Sequence, residues 1–234
     1  MYKNIKFIPS GDSALVMEFG NEIHPQNNRC IREVVHMLEA EKIKGIIEWV
    51  PTYRSILIIY NPLIISYKKL IECLQELEKK KKGTDLPPPF VIKIPVLYGG
   101  EYGPDLEKVA AHNNLSEEEV IRIHSEKEYL IYMLGFTPGF PYLGGMSEKV
   151  ATPRLKKPRE KIPAGSVGIA ATQTGIYPID SPGGWQLIGR TPVRLFDPEN
   201  KEPFLLKAGN YLKFVPISVD RYRKIEQRRW LQWE

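Results

Sequence analysis

Three stretches rich in glycine and proline, all between Gly135 and Gln186, hold the side chains best suited to chemistry. In one of them, Thr152-Pro153-Arg154 leads through Pro158-Arg159 and Lys161 to Pro163-Ala164-Gly165-Ser166, so cations alternate with prolines. An arginine can grip a carboxylate or a phosphate through two parallel N–H···O bonds. Arg154 and Arg159 are therefore the catalytic candidates, with Ser166 beside them, for an anionic substrate or a phosphorylated intermediate. A solvated basic loop would have the same composition. A second stretch runs Gln173-Thr174-Gly175-Ile176-Tyr177-Pro178 and then Ser181-Pro182-Gly183-Gly184-Trp185-Gln186. The pair Gly183-Gly184 suits an anion-binding nest of backbone N–H groups, although hairpins use such pairs routinely. Tyr177 and Trp185 are fitted to wall a pocket, and Gln173 and Gln186 to read an amide. In the third stretch, Gly135 to Gly145, prolines and glycines hold Phe140 and Tyr142 on a stiff loop. Such a loop presents aromatics to a small ligand, and equally suits a tight barrel corner that packs its own rings.

What must position these loops is legible as two domains. Around Ser10-Gly11-Asp12 the apolar residues alternate, which predicts two strands within Ile5–Phe19. A helix follows from Pro25, with Ile31, Val34, Val35 and Leu38 on one face and Gly45 just past its end. Strands are expected at Ile46–Val50 and Ser55–Tyr60, and a helix from about Ser66 to Lys80 with Leu70, Leu74 and Leu77 on its stripe. This order, ββαββα, buries both helical stripes on one face of a small antiparallel sheet. The break comes at Lys79–Lys82, Gly83 and Pro87-Pro88-Pro89, since consecutive prolines form a stiff extended connection. The expected domains are thus residues 1–85 and 90–234. The second opens with a strand, Val91–Tyr98, then a short helix over Pro104–His112. Ser116 with Glu119 forms a capping box for a helix to about Ser125. From Gly135 to Gly209 short β-rich runs lie between recurrent Gly and Pro, the pattern of a barrel or sandwich, before a last helix over Asp220–Trp233.

Composition closes off other classes. Hydrophobic residues make up 42% and charged residues 26% of the 234, as in an ordinary folded protein. Apolar runs such as Ile56–Tyr60 are far shorter than the roughly 20 residues of a membrane span, so no membrane partner is expected, and no leader is read at the start. The net charge of +5 comes largely from the lysine run and from arginines near the C-terminus. Lysines at a helix end suit its dipole, and no nucleic-acid motif accompanies them, so no nucleic-acid partner is expected. Cys30 and Cys73 read as reduced core residues of a cytoplasmic protein. No P-loop pattern and no G-x-S-x-G elbow occur. His24, His36, His112 and His124 show no metal-ligand spacing, so no metal is expected; His112 and His124 read as packing or surface residues.

At Ile94-Pro95-Val96-Leu97-Tyr98-Gly99-Gly100, Tyr102-Gly103-Pro104-Asp105-Leu106, Leu134–Gly145, Thr152–Arg154, Ile162–Ile169, Gln173–Pro178, Ser181–Thr191 and Leu195–Pro198, the chain resembles the family of the B-type subunit of 5-oxoprolinase. This family is also called allophanate hydrolase subunit 1, and includes a Kip-type inhibitor of a sporulation histidine kinase. Leu97 stands where some relatives carry Cys, which argues against a nucleophile there. The resemblance implies an α+β protein: a small α+β domain followed by a cyclophilin-like β-barrel. It implies a C-type partner with a related barrel, an A-type subunit, and ATP as cosubstrate of the assembled complex, which opens 5-oxoproline to glutamate. Two other functions fit the resemblance. One is protein–protein inhibition of a histidine kinase. The other is a carboxyltransferase-related role in urea or allophanate metabolism, which the missing biotin-attachment motif disfavours.

Overall fold

In the computed structural model, which describes residues 2, 4–80 and 86–227, the chain divides into two compact units, Met1–Pro88 and Pro89–Glu234. In the first, alternating apolar residues make the hairpin β1 (Lys6–Pro9) and β2 (Ala14–Glu18). The helix α1 (Pro25–Glu41) starts on His24, whose Nδ1 accepts the Gln26 N–H at 3.2 Å. It ends on Lys42 in the left-handed region (φ 44), whose N–H returns to the Leu38 carbonyl. Gly45, expected to stop this helix, instead leads into the next strand, so the chain tolerates a left-handed lysine that costs about 1 kcal/mol. Then follow β3 (Ile46–Pro51), β4 (Ser55–Tyr60) and α2 (Tyr67–Lys80). The sheet order is β1-β2-β4-β3, antiparallel throughout. Leu15, Met17, Ile56 and Ile58 turn inward at every second position and meet Ile31, Val34 and Leu38 of α1 and Leu70, Leu74 and Leu77 of α2. Each such side chain contributes about 1.5–3 kcal/mol on burial. Neither cysteine forms a disulfide; Cys30 is buried, whereas Cys73 is only half-buried at the edge of this core.

The second unit begins with β5 (Val91–Tyr98), then α3 (Leu106–Asn113) and α4 (Glu117–Ser125). The capping box of α4 is formed in full: Ser116 Oγ accepts the Glu119 N–H at 3.2 Å, and Glu119 Oε2 accepts the Ser116 N–H at 2.8 Å. Strands β6 (Glu128–Leu134) and β7 (Pro141–Gly144), a single 3-10 turn at Glu148–Val150, and β8 (Arg159–Ile162) come next. They are followed by β9 (Ser166–Ala170), β10 (Gln173–Ile176), β11 (Ser181–Gly183), β12 (Gln186–Arg190), β13 (Tyr211–Pro216) and α5 (Val219–Glu226). The expected last helix therefore covers Val219–Glu226, and its extension over residues 228–233 lies outside the described residues. Seven strands form one sheet in the order β10-β9-β12-β5-β13-β6-β7, with β5 and β13 parallel and the other pairs antiparallel. The two end strands nearly meet, since a Cβ on Gly175 of β10 would lie 3.3 Å from the Pro141 carbonyl oxygen of β7. The sheet is thus a nearly closed barrel. Ile94, Val96, Ile131, Val167, Ile169, Ile176, Ile188 and Phe214 fill it. β8 and β11 pair separately as a two-stranded ribbon.

One polar chain runs through the barrel core. His124, fully buried, lies 2.8 Å from the Tyr98 hydroxyl through Nδ1 and 2.8 Å from Thr174 Oγ1 through Nε2. Thr174 donates its only side-chain proton to the Gly168 carbonyl at 3.0 Å. Nε2 therefore carries the hydrogen, and Nδ1 accepts from Tyr98. Burial pushes the imidazole down to about 3, so it stays neutral. Phe214 stacks on the ring at 4.4 Å. This histidine is a packing residue.

Candidate functional site

The period of the strands sorts the barrel wall into two faces. Val167, Ile169, Ile176 and Ile188 point inward, which sends Gly168, Gly175, Tyr177 and Leu187 outward. Against this outer face the three loops singled out by residue type come together. Phe140 sits at their centre, edge-on to Tyr142 (5.5 Å), Tyr177 (5.5 Å) and Trp185 (5.6 Å). Tyr177 and Trp185 are 6.1 Å apart, again edge-on. Edge-to-face contact sets the positive rim of one ring against the negative face of another. The rings fit only because two wall positions lack side chains. A Cβ at Gly175 would stand 3.1 Å from Phe140 and 3.2 Å from Trp185, and one at Gly168 3.1 Å from Trp185 Cβ. Ile162, from the ribbon, completes the cluster. Phe140 and Tyr177 are buried, so they stiffen the site; Tyr142 and Trp185 are half-buried and keep some surface.

Arg159 is fixed from within. Its Nη2 donates to both oxygens of Asp105, at 2.9 and 2.8 Å, and its Nη1 donates to the Trp185 carbonyl at 3.3 Å. The Asp105 carboxylate is almost fully buried and also accepts the Leu187 N–H at 2.8 Å and Lys108 Nζ at 3.2 Å. Burial pushes this carboxyl up, but the Arg159, Leu187 and Lys108 donors outweigh it and hold the group below the usual carboxylate range. Asp105 thus ties the ribbon, through Arg159, to the barrel wall, through Leu187. It stands just before α3, where an aspartate reads as a helix cap, yet its side chain makes no cap hydrogen bond. That is why residue-type reasoning passes over it. Arg159, named for its charge, acts here as the clamp on Trp185.

Arg154 is exposed, and the Leu155 N–H beside it donates to the Gly184 carbonyl at 2.7 Å. Burial pushes the Tyr177 phenol up to about 12, against the Trp185 backbone N–H and the charges of Arg154 and Arg159. The phenol is therefore a neutral O–H near neutral pH. Gly183 and Gly184 have no positive φ, so their turn lacks the alternation of right- and left-handed residues that shapes a nest. Gly183 serves clearance instead, since any Cβ there would collide with the Tyr177 hydroxyl. Gln173 is half-exposed at the start of β10, and Ser166 is fully buried on β9, where its carbonyl accepts the Tyr177 N–H at 2.9 Å.

A cavity of about 940 Å³ opens on the flank of this cluster, lined by Gly165, Pro178, Asp180, Thr191, Phe196 and Tyr222 among others. None of the eleven residues named from the sequence lines it, although Gly165 adjoins Ser166 and Pro178 adjoins Tyr177. The loops do converge, but their aromatics fill the space between them, and the hollow lies next door. Among the described residues no group of three or more His, Cys, Asp or Glu is placed to hold a metal ion, and no helix is long and apolar enough to cross a membrane.

A nearly closed barrel with a ribbon on its wall, joined to a ββαββα unit, is the architecture of a defined protein class. The family described as carboxyltransferase domain, subdomain C and D matches residues 5–206, and the chain belongs to it. The B-type subunit of 5-oxoprolinase from Bacillus subtilis (strain 168) is 45% identical over 228 residues, covering 93% of this chain and 95% of that protein. Its namesake from Escherichia coli O157:H7 is 43% identical over 207 residues, 88% of this chain and 93% of its own length. Among solved structures, TTHA0988 superposes with a TM-score of 0.77 at 36% identity over 88% of this chain; the match spans only 40% of that longer chain. The urea carboxylase of Kluyveromyces lactis matches 95% of this chain and 22% of its own, with a TM-score of 0.74, and at 21% identity this is a likeness of fold alone.

Proposed function

We propose that this chain is the B-type subunit of an ATP-dependent 5-oxoprolinase, which opens 5-oxoproline to L-glutamate together with C-type and A-type subunits in the cytoplasm. The observation that carries this reading is the 41–45% identity, over nearly the whole chain, to B-type 5-oxoprolinase subunits from three bacteria. The urea amidolyases stand further off, at 22–26% identity over 14% of their length.

The chemistry sets the demand. A five-membered lactam is a resonance-stabilised amide that water attacks slowly, and phosphorylation of its carbonyl oxygen makes a better electrophile. Both the substrate carboxylate and the transferred phosphoryl are anionic, so preorganised donors lower the barrier where charge develops. On this chain Arg154 supplies an exposed cation beside the neutral Tyr177 hydroxyl. Tyr142 and Trp185 offer the half-buried aromatic surface that excludes water, with Phe140 packed behind them, and the half-exposed Gln173 is the candidate to read the lactam amide. Arg159 positions Trp185 and does not itself reach the substrate. The chain holds no P-loop, and ATP is used by the assembled complex. The test is to coexpress the chain with C-type and A-type subunits and to measure glutamate formed from 5-oxoproline with and without ATP. ATP-dependent glutamate is expected from the assembly and none from this chain alone. Robust turnover by the single chain, or none by the assembly, refutes the reading.

A further inference from the structure

Ser166 and Arg190 stand directly opposite one another on β9 and β12. Ser166 is fully buried, and its hydroxyl has no hydrogen-bond partner among the described residues. The Arg190 Nε–H is buried and has none either. A buried polar group left unpaired costs about 1–3 kcal/mol, more when charged, so two at one cross-strand position call for a ligand that satisfies both. No salt bridge among the described residues engages Arg190. The carboxylate of Asp180 is taken up by Lys161 Nζ at 2.8 Å and the Ala164 N–H at 2.8 Å.

The pair lies one residue behind the cavity wall, which neither side chain itself lines. Gly165 and Thr191, the chain neighbours of Ser166 and Arg190, both line it. Gly165 (φ +82) donates its N–H to the Tyr177 carbonyl and accepts that of Thr191, and any Cβ there would run into the Thr191 carbonyl. The stem of Arg190 passes Gly165 closely, its Cγ 3.4 Å from where that Cβ would be. Its guanidinium rests over Tyr102 at 5.6 Å, and Tyr102 packs at 4.8 Å on Tyr222, another wall residue.

We propose that the Ser166 hydroxyl and the Arg190 Nε–H form an oxyanion site at the inner edge of this cavity, built for one carboxylate of a small ligand. The walls favour a monoanion. Asp180 and Asp197 are neutralised by Lys161 and Arg194, but Glu199 and Glu226 also line the cavity and repel a polyphosphate. The site stands without the oxoprolinase reading, although 5-oxoproline is itself a small monocarboxylate.

The test is a ¹H–¹⁵N chemical-shift titration of the full chain with sodium acetate at constant ionic strength, with chloride as control. Saturable shifts at the Gly165 and Thr191 amides are expected, weakened at least tenfold in Ser166→Ala and in Arg190→Gln, with inorganic phosphate and ATP no tighter than acetate. Ser166→Ala removes only an unpaired hydroxyl and is expected to melt no lower than the native chain, so it keeps the test open if Arg190→Gln fails to fold. Absence of saturable shifts, or equal acetate affinity in Ser166→Ala, overturns the site. A parallel titration with 5-oxoproline separates the two claims. Acetate binding without 5-oxoproline binding keeps the site and removes this ligand from it. ATP-dependent glutamate formation by the complex, with no acetate binding to the chain, removes the site and keeps the oxoprolinase reading.

Discussion

Asp105 keeps its charge in the interior because Arg159, the Leu187 N–H and Lys108 all donate to it. Removing the carboxylate leaves the part-buried Arg159 guanidinium without its ionic partner. Asp105→Asn is therefore expected to lower the unfolding free energy by about 3 kcal/mol, measured by urea denaturation; a loss below about 1 kcal/mol would show that the clamp is not what holds the ribbon. His124 gives a different signature. Its folded value of about 3 lies below the ordinary 6.5, so the unfolded chain takes up a proton that the folded chain refuses. The stability that depends on neutral His124 is complete above pH 6.5 and falls by about 1.4 kcal/mol per pH unit between there and pH 3. His124→Gln is expected to have lower stability at pH 7 and a flatter decline in acid. An unchanged slope in the variant would mean that His124 titrates freely. From the sequence His124 read as a packing or surface residue, and its full burial decides between the two. The role of Asp105 was not legible there, because its partner is 54 residues away and its local position mimics a cap.

At the scale of elements, strand and helix periods announced most of the structure. The hairpins of the first unit, β5, and the capped start of α4 fall where alternation, spacing and capping place them. The ribbon β8–β11 was hidden, since Arg159-Glu160-Lys161-Ile162 is mostly exposed and β11 contains Pro182, so neither alternates. The parallel pairing of β5 with β13 was equally invisible, because it joins residues about 120 positions apart. The stiff loop at 135–145 left two readings open, ligand platform or packed corner, and the structure divides them by residue. Phe140 is the packed corner, whereas Phe136 is 69% exposed with a left-handed φ of 64. Phe140→Ala is expected to cost about 3–5 kcal/mol through the cavity it leaves among the rings of Phe136, Tyr142, Tyr177 and Trp185. Phe136→Gly, which relieves the backbone, is expected to stay within about 1 kcal/mol of the native chain. Urea denaturation of both variants checks this; equal losses would mean that the loop packs as one block.

For the molecule as a whole, the layout of the first unit was legible from periodicity, which left barrel or sandwich open for the second; the barrel followed from the family resemblance, carried by long ordered motifs. Residue roles were less so, because charge marks a side chain that can bind an anion without saying whether a neighbour has already claimed it. Arg159 is claimed by Asp105, whereas Arg190, which lies in a family motif but was not singled out as a site residue, is left with an unpaired donor. The proposed function rests on assembly, since the three relatives at 41–45% identity are each named as one subunit of 5-oxoprolinase. The most direct measurement is 5-oxoproline-dependent ADP release by reconstituted C-type and A-type subunits as this chain is titrated in. The account predicts a rate that rises from near zero and saturates at a fixed stoichiometry. A full rate before any of the chain is added, or no rate at any amount, would contradict it.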